Sequence, residues 1–210
     1  MNKVKIGVIG AGWWATENHI PHLAERDEVE LTSVCKLEED QLNFVKNKFS
    51  FKYASTDFKE MLDLSYLDGV VISSPHHAHY ENAKAALEKD CHVMIEKPMT
   101  TIAQEAEILI QLAKKKNKHI LIPNGFNFKK FISKAEEIIK NGMIGDIKHI
   151  DAAFSSSLTD LFQGIPLSES NNHTFQPHAS TWSDPKNGGG YGWGQLSHMF
   201  AGVLKITHLE

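Results

Sequence analysis

The sequence predicts an α/β fold, a doubly wound parallel sheet followed by the start of a second domain. Over the first 120 residues short apolar runs alternate with amphipathic segments, the pattern of successive βαβ units. A glycine-bearing turn, Gly10-Ala11-Gly12-Trp13-Trp14-Ala15, directly follows the first apolar run. After Ile122 the periodicity fades and Ser, Asn, Gly and Pro accumulate.

The strand candidates, in order, are residues 5–9, 30–35, 69–73, 92–95 and 119–122. Between them, residues 77–88 carry Ala78, Ala83, Ala86 and Leu87 at helical spacing. Residues 102–116 place Ile102, Ala106, Leu109, Ile110 and Ala113 on one face, and Thr101 with Gln104 matches a capping box. The Lys114-Lys115-Lys116 run closes that segment, where cations suit a helix C-terminus. Further on, residues 131–141 predict a helix stopped by Gly142, residues 146–155 a strand, and residues 196–206 a last helix opened by Gly188-Gly189-Gly190. Residues 156–194 show little regular pattern, and loops of that length are usually functional or disordered. Residues 1–121 therefore form the first domain and residues 122–210 part of a second. One strand and two helices cannot complete a sheet layer, so the chain is expected to be truncated in that second domain.

Composition narrows the partners. The 22 Lys plus Arg against 26 Asp plus Glu give a net charge of -4, with no electrostatic footprint for nucleic acid. The 41% hydrophobic and 23% charged content is that of a globular protein. No run approaches the ~18 apolar residues of a membrane span. The N-terminus lacks a signal-like apolar core, and Cys35 and Cys91 show no disulfide or zinc spacing. A reduced, cytoplasmic protein is expected.

The glycine turn carries the first chemical signal. In Gly10-x-Gly12-x-x-Ala15 the first glycine permits a tight turn, the second lets backbone amides approach a pyrophosphate, and Ala15 keeps the helix close to the sheet. That assigns residues 1–121 to dinucleotide binding, with the phosphates at a helix N-terminus. Trp13 and Trp14 are placed to wall the nicotinamide pocket. At the end of the second predicted strand stands Lys36, where a NAD site would carry an acid, so NADP is favoured over NAD. The loop Ser73-Ser74-Pro75-His76-His77-Ala78-His79 follows another strand, where a proline can stiffen the cover of the nicotinamide. Its histidines lack ligand spacing to a Cys, Asp or Glu, so no metal is predicted. His19 and His22, three apart on a helical face, suit packing rather than ligation.

The strongest signal is Lys97 in Glu96-Lys97-Pro98, delivered to a loop by residues 92–95. A lysine whose pKa is brought toward neutrality by burial and charge can take the proton of a substrate hydroxyl as hydride leaves the same carbon. Direct pairing with Glu96 would oppose this, so Glu96 is expected to face the ribose instead.

Together these residues resemble the Gfo/Idh/MocA family of NAD(P)-dependent sugar and inositol oxidoreductases. The resemblance rests on Gly10-x-Gly12-x-x-Ala15, Ser74-Pro75-His76 with His79, Glu96-Lys97-Pro98, Asn124-Gly125-Phe126-Asn127-Phe128, Thr181-Trp182, and Gly188-Gly189-Gly190 leading to His198. It implies a Rossmann domain followed by a domain with a mostly antiparallel sheet that often forms an oligomer interface, here incomplete. It also implies Lys97 as catalytic lysine and His198 as its acid–base partner, titrating near neutral pH. Cofactor contacts are implied for Ser74, Pro75, His76, His79, Glu96 and Asn124, and substrate contacts for Lys97, Asn127, Trp182, Gln195 and His198. Many relatives carry an aspartate where this chain has Gly194, with Gln195 beside it as an alternative hydrogen-bonding group. Three functions remain open on the sequence: a sugar, cyclitol or polyol dehydrogenase; an enzyme that retains its cofactor to cleave glycosides or form epimers, suggested by the polar loop of residues 168–178; and a non-catalytic NAD(P) sensor or degenerate paralogue.

Overall fold

Six parallel strands in the order β3-β2-β1-β4-β5-β6 form the centre of the molecule. The computed structural model describes residues 2–64, 66–163, 165, 172–177 and 179–209. The strands are β1 (Val4–Ile9), β2 (Val29–Cys35), β3 (Tyr53–Ser55), β4 (Gly69–Ile72), β5 (His92–Ile95) and β6 (Ile120–Leu121). The helices of this half are α1 (Ile20–Ala24), α2 (Glu39–Phe49), α3 (Phe58–Asp63), α4 (His79–Glu88) and α5 (Ala103–Lys116).

Successive residues of a strand point to opposite faces, and here both faces are apolar. Ile9, Val70 and Ile72 join Leu87 and Leu109 in one core, while Val8 and Val71 join Ile20 and Val45 in the other. Helices thus cover both sides of the sheet, the doubly wound arrangement expected. Local chemistry sets the helix ends. Asp57 caps α3 by accepting from the Lys59 N–H at 2.7 Å. Left-handed Ser50 and Asn117 end α2 and α5, whose last turns carry Lys46 with Lys48 and Lys114 to Lys116.

The second half is helical. It contains α6 (Lys130–Lys140), α7 (Thr159–Phe162), α8 (Ala179–Ser183) and α9 (Ser197–Thr207). The strand expected over residues 146–155 is not formed, so no antiparallel sheet begins there among the described residues. A strand exists only against a partner, and among the described residues no strand pairs with this segment; the Phe154 carbonyl accepts instead from the Tyr191 hydroxyl at 2.5 Å. The capping box of Thr101 and Gln104 is also not formed: Ile102 is the N-cap of α5, without a side-chain bond. Thr100 instead bonds the Ile102 carbonyl at 2.8 Å.

Candidate active site

Between β1 and β4 the strand order reverses, and beyond the carboxyl ends of these strands lies a cleft of about 1600 Å³. That exceeds the roughly 300–1,000 Å³ of an ordinary small-molecule pocket. Each central strand contributes to its lining: Gly10 and Gly12 after β1, Lys36 after β2, Ser74 and His76 after β4, Lys97 after β5. The second half adds Trp182, Gln195 and His198.

The glycine turn fits a dinucleotide. Gly10 has φ +83°, and a Cβ there would stand 2.4 Å from the Ser74 nitrogen, so the tight turn requires glycine. A Cβ on Gly12 would meet nothing within 4 Å, leaving an open cradle beside a helix start whose first N–H groups have no intrahelical partner. The helix continues as a wide π turn, Ala15–His19. Ala15 is fully buried and packs rather than lining the cleft.

Lys36 sits with its Nζ 2.8 Å from Glu38 and 5.0 Å from the centre of the Phe175 ring. On the opposite wall, the Ser74 hydroxyl bonds Asn82 at 2.7 Å, and the His76 ring lies 2.8 Å from the Gly188 carbonyl. Burial pushes the His76 pKa down to about 4. His79 has Nδ1 2.7 Å from the Pro98 carbonyl and Nε2 2.9 Å from the Ser74 carbonyl. Only the imidazolium could donate to both. Burial opposes that form and prevails, keeping the pKa below its usual value, because losing water costs a charge more than one hydrogen bond returns.

Glu96 turns to two neighbours, accepting from the Trp14 indole at 2.8 Å and pairing with His19 at 2.7 Å. Burial pushes its pKa up, but the His19 hydrogen bond and charge, the Lys97 N–H and the Lys97 charge outweigh it, leaving it low. Lys97 Nζ donates to the Gly194 carbonyl at 2.9 Å and lies 5.2 Å from the centre of the Trp182 ring. Burial lowers its pKa, opposed by the Glu96 charge. The space where a Gly194 side chain would project is filled: a Cβ there would come 2.9 Å from Phe162.

His198 departs from expectation. Burial, aided by the Lys97 charge, pushes its pKa to about 4, so it is neutral near pH 7 rather than titrating there. Its Nδ1 is buried without a partner among the described residues, and its ring packs against Phe126 and Phe154. A second π turn, Gly192–Leu196, precedes it and buries Gln195. Asn124 and Asn127 do not line the cleft; they flank and join the turn Gly125–Phe128, each with a buried side-chain oxygen that has no partner among the described residues.

Residues 4–123 match the Gfo/Idh/MocA oxidoreductase family, described as having an NAD-binding Rossmann fold. The chain belongs to this family. It is 30% identical to D-glucoside 3-dehydrogenase of Escherichia coli K12 over 144 residues, 69% of this chain and 41% of that protein. Myo-inositol 2-dehydrogenase of Thermotoga maritima is 30% identical over 144 residues, 68% of this chain and 42% of that one. The chain thus spans less than half the length of these curated relatives. The crystal structure of a probable dehydrogenase of Thermotoga maritima, 23% identical, superposes over 99% of this chain and 56% of its own with a TM-score of 0.71, a likeness of fold.

Several cleft residues were not singled out from the sequence. Asn82 has a signal in retrospect, three positions after His79 on α4. His173, Thr174 and Phe175 had none, lying in an irregular segment whose polar loop, residues 168–178, falls partly outside the described residues (166–171 and 178). Among the described residues no group of His, Cys, Asp and Glu is placed to hold a metal ion, and no helix is long and apolar enough to cross a membrane.

Proposed function

We propose that the protein is a nicotinamide-dependent oxidoreductase acting on a hydroxyl of a sugar, cyclitol or related polyol, with Lys97 as the catalytic lysine. The observation that carries this is a buried amine at the end of β5, its pKa lowered by burial, in the same cleft as the Gly12 cradle. The dinucleotide, when bound, supplies the hydride acceptor or donor. Lys97 Nζ, oriented by the Gly194 carbonyl, takes the hydroxyl proton in the oxidising direction and returns it in the reducing one. Neutral His198 and Gln195 both line the cleft, where each can hydrogen-bond a further substrate hydroxyl. Trp182 offers an apolar face to the carbon skeleton.

Lys36 supports NADP, since its ammonium stands at the end of β2 where a 2′-phosphate would compete with Glu38 for it. The same reading gives residues 1–121 to the dinucleotide and residues 122–210 to substrate and self-association, a homo-oligomer, with Phe131, Phe200 and Leu204 exposed in that half. Two buried, free thiols suit a reduced, cytoplasmic setting.

Replacing Lys97 with Met tests the central assignment. Turnover on the responsive polyol should fall by about 10²- to 10⁴-fold, the usual worth of a general base. Dinucleotide affinity, measured by calorimetry, should stay within a few fold. Unchanged turnover refutes the role.

A further inference from the structure

His173, Thr174 and Phe175 cross from the second half onto the dinucleotide-binding half and are fastened at five points. The Trp13 indole N–H donates to His173 Nδ1 at 2.6 Å. The Thr174 N–H donates to Glu17 at 2.8 Å, and Lys48 Nζ donates to the Thr174 hydroxyl at 3.0 Å. The Phe175 ring meets Phe44 of α2 edge-on, centroids 6.2 Å apart, and carries Lys36 Nζ at 5.0 Å. These anchors belong to the glycine turn, the π turn after it, α2 and the end of β2. The three strap residues also line the cleft beside Gly12 and Lys36, so one short segment is both a wall of the site and a tie across it.

We propose that this strap holds the dinucleotide: His173 and Phe175 are cofactor-retaining residues, and release requires their ties to Trp13 and α2 to break. This rests on the reading of the cleft as a dinucleotide site. A dinucleotide held at the Gly12 cradle and reaching Lys36 would lie against this segment, whose three residues line the same cleft. The strap contributes little that is base-specific. Its main effect is on the rate of departure, because loss of a tie opens the wall without removing the cradle.

The test is the release rate of bound NADPH or NADH from the full chain, followed by fluorescence after mixing with excess oxidised dinucleotide. Phe175→Ala should speed release by about five- to tenfold, the range of one aromatic pair. Phe44→Ala is the decisive variant, because Phe44 is 49% exposed and does not line the cleft. It should speed release by about threefold or more, and the double variant should be no faster than Phe175→Ala alone. Hydrogen exchange of residues 172–177 in the unmodified protein should slow when dinucleotide is added, a readout independent of whether the variants fold. If dinucleotide binds but release stays within twofold in both single variants, or exchange in the strap is unchanged, the strap proposal falls and the functional reading stands. If no dinucleotide binds, the functional reading falls and the strap with it.

Discussion

Two glycines in one turn should respond oppositely to the same methyl group. At Gly10 the backbone has φ +83°, which costs an L-residue roughly 1–2 kcal/mol. A Cβ would also stand 2.4 and 2.5 Å from the Ser74 N and Cα, backbone atoms that cannot swing aside, adding about 1–3 kcal/mol of overpacking. Gly10→Ala should therefore lose about 2–5 kcal/mol, lowering Tm by roughly 5–15 °C for a chain of this size. At Gly12 the Cβ meets nothing within 4 Å, and the backbone is not in the left-handed region. Gly12→Ala should leave Tm within about 2 °C while filling the space a pyrophosphate needs. Losing one charge-assisted amide bond costs about 1.5–3 kcal/mol, so dinucleotide Kd should rise about 10- to 100-fold. Thermal unfolding and calorimetric titration of both variants decide the matter. If Gly12→Ala binds dinucleotide like the parent, or is destabilised as much as Gly10→Ala, the cradle argument fails.

Acid should destabilise the fold through its buried neutral histidines. His76 titrates at about 4 in the folded chain against 6.5 for an ordinary histidine, so between those values the unfolded chain binds more protons and stability falls as pH drops. The His76 share is fully present above about pH 6.5 and shrinks by about 2 kcal/mol at pH 5; urea midpoints at both pH values should show it, and His76→Asn should flatten the slope. Lys36→Ala should weaken NADP relative to NAD by about tenfold or more, whereas Glu38→Gln should strengthen NADP by freeing Lys36 from its 2.8 Å pair; a ratio of affinities unmoved by either change removes Lys36 from cofactor choice. In the oxidising direction the rate should rise with pH as Lys97 loses its proton, with a midpoint below that of an ordinary lysine because burial disfavours the ammonium; a profile flat from pH 6 to 10 contradicts a lysine base.

The parts of this molecule that local chemistry dictates were legible. The Val and Ile runs of β1, β2 and β4 announce strands buried on both faces, and the glycines at 10 and 12 announce the turn between β1 and the next helix. Strand β3 was missed because three residues, Tyr53–Ser55, are too few to show a period. The strand expected at residues 146–155 failed for the opposite reason: apolar alternation is local, but a strand needs a neighbour. In the cleft, the place of Lys97 just after β5 was readable from Glu96-Lys97-Pro98. The orientation of Glu96 toward His19 and Trp14, 77 and 82 residues away, was not. Nor was the neutrality of His198, since its pKa follows from burial among Phe126, Phe154 and a neighbouring ammonium rather than from residue type.

Two backbone carbonyls of the second half orient side chains of the first at the Lys97 end of the cleft. Lys97 is aimed by the carbonyl of Gly194, and His76 by the carbonyl of Gly188. Gly188 has φ +76° and would place a Cβ 2.6 Å from the Thr101 side chain, so that segment sits close against the loop after β5 only because it is glycine. A carbonyl can orient an ammonium but cannot take its proton, as a carboxylate at position 194 could. The proton affinity of Lys97 is then set chiefly by burial and by Glu96, and Glu96 is held away from the amine by the Trp14 indole and His19. Removing the His19 contact should let Glu96 turn toward Lys97, raise the lysine pKa and move the alkaline limb of the rate profile upward. On the proposed role of Lys97, its proton affinity would therefore be tuned through His19, the last residue of the π turn Ala15–His19, rather than through the histidine at 198.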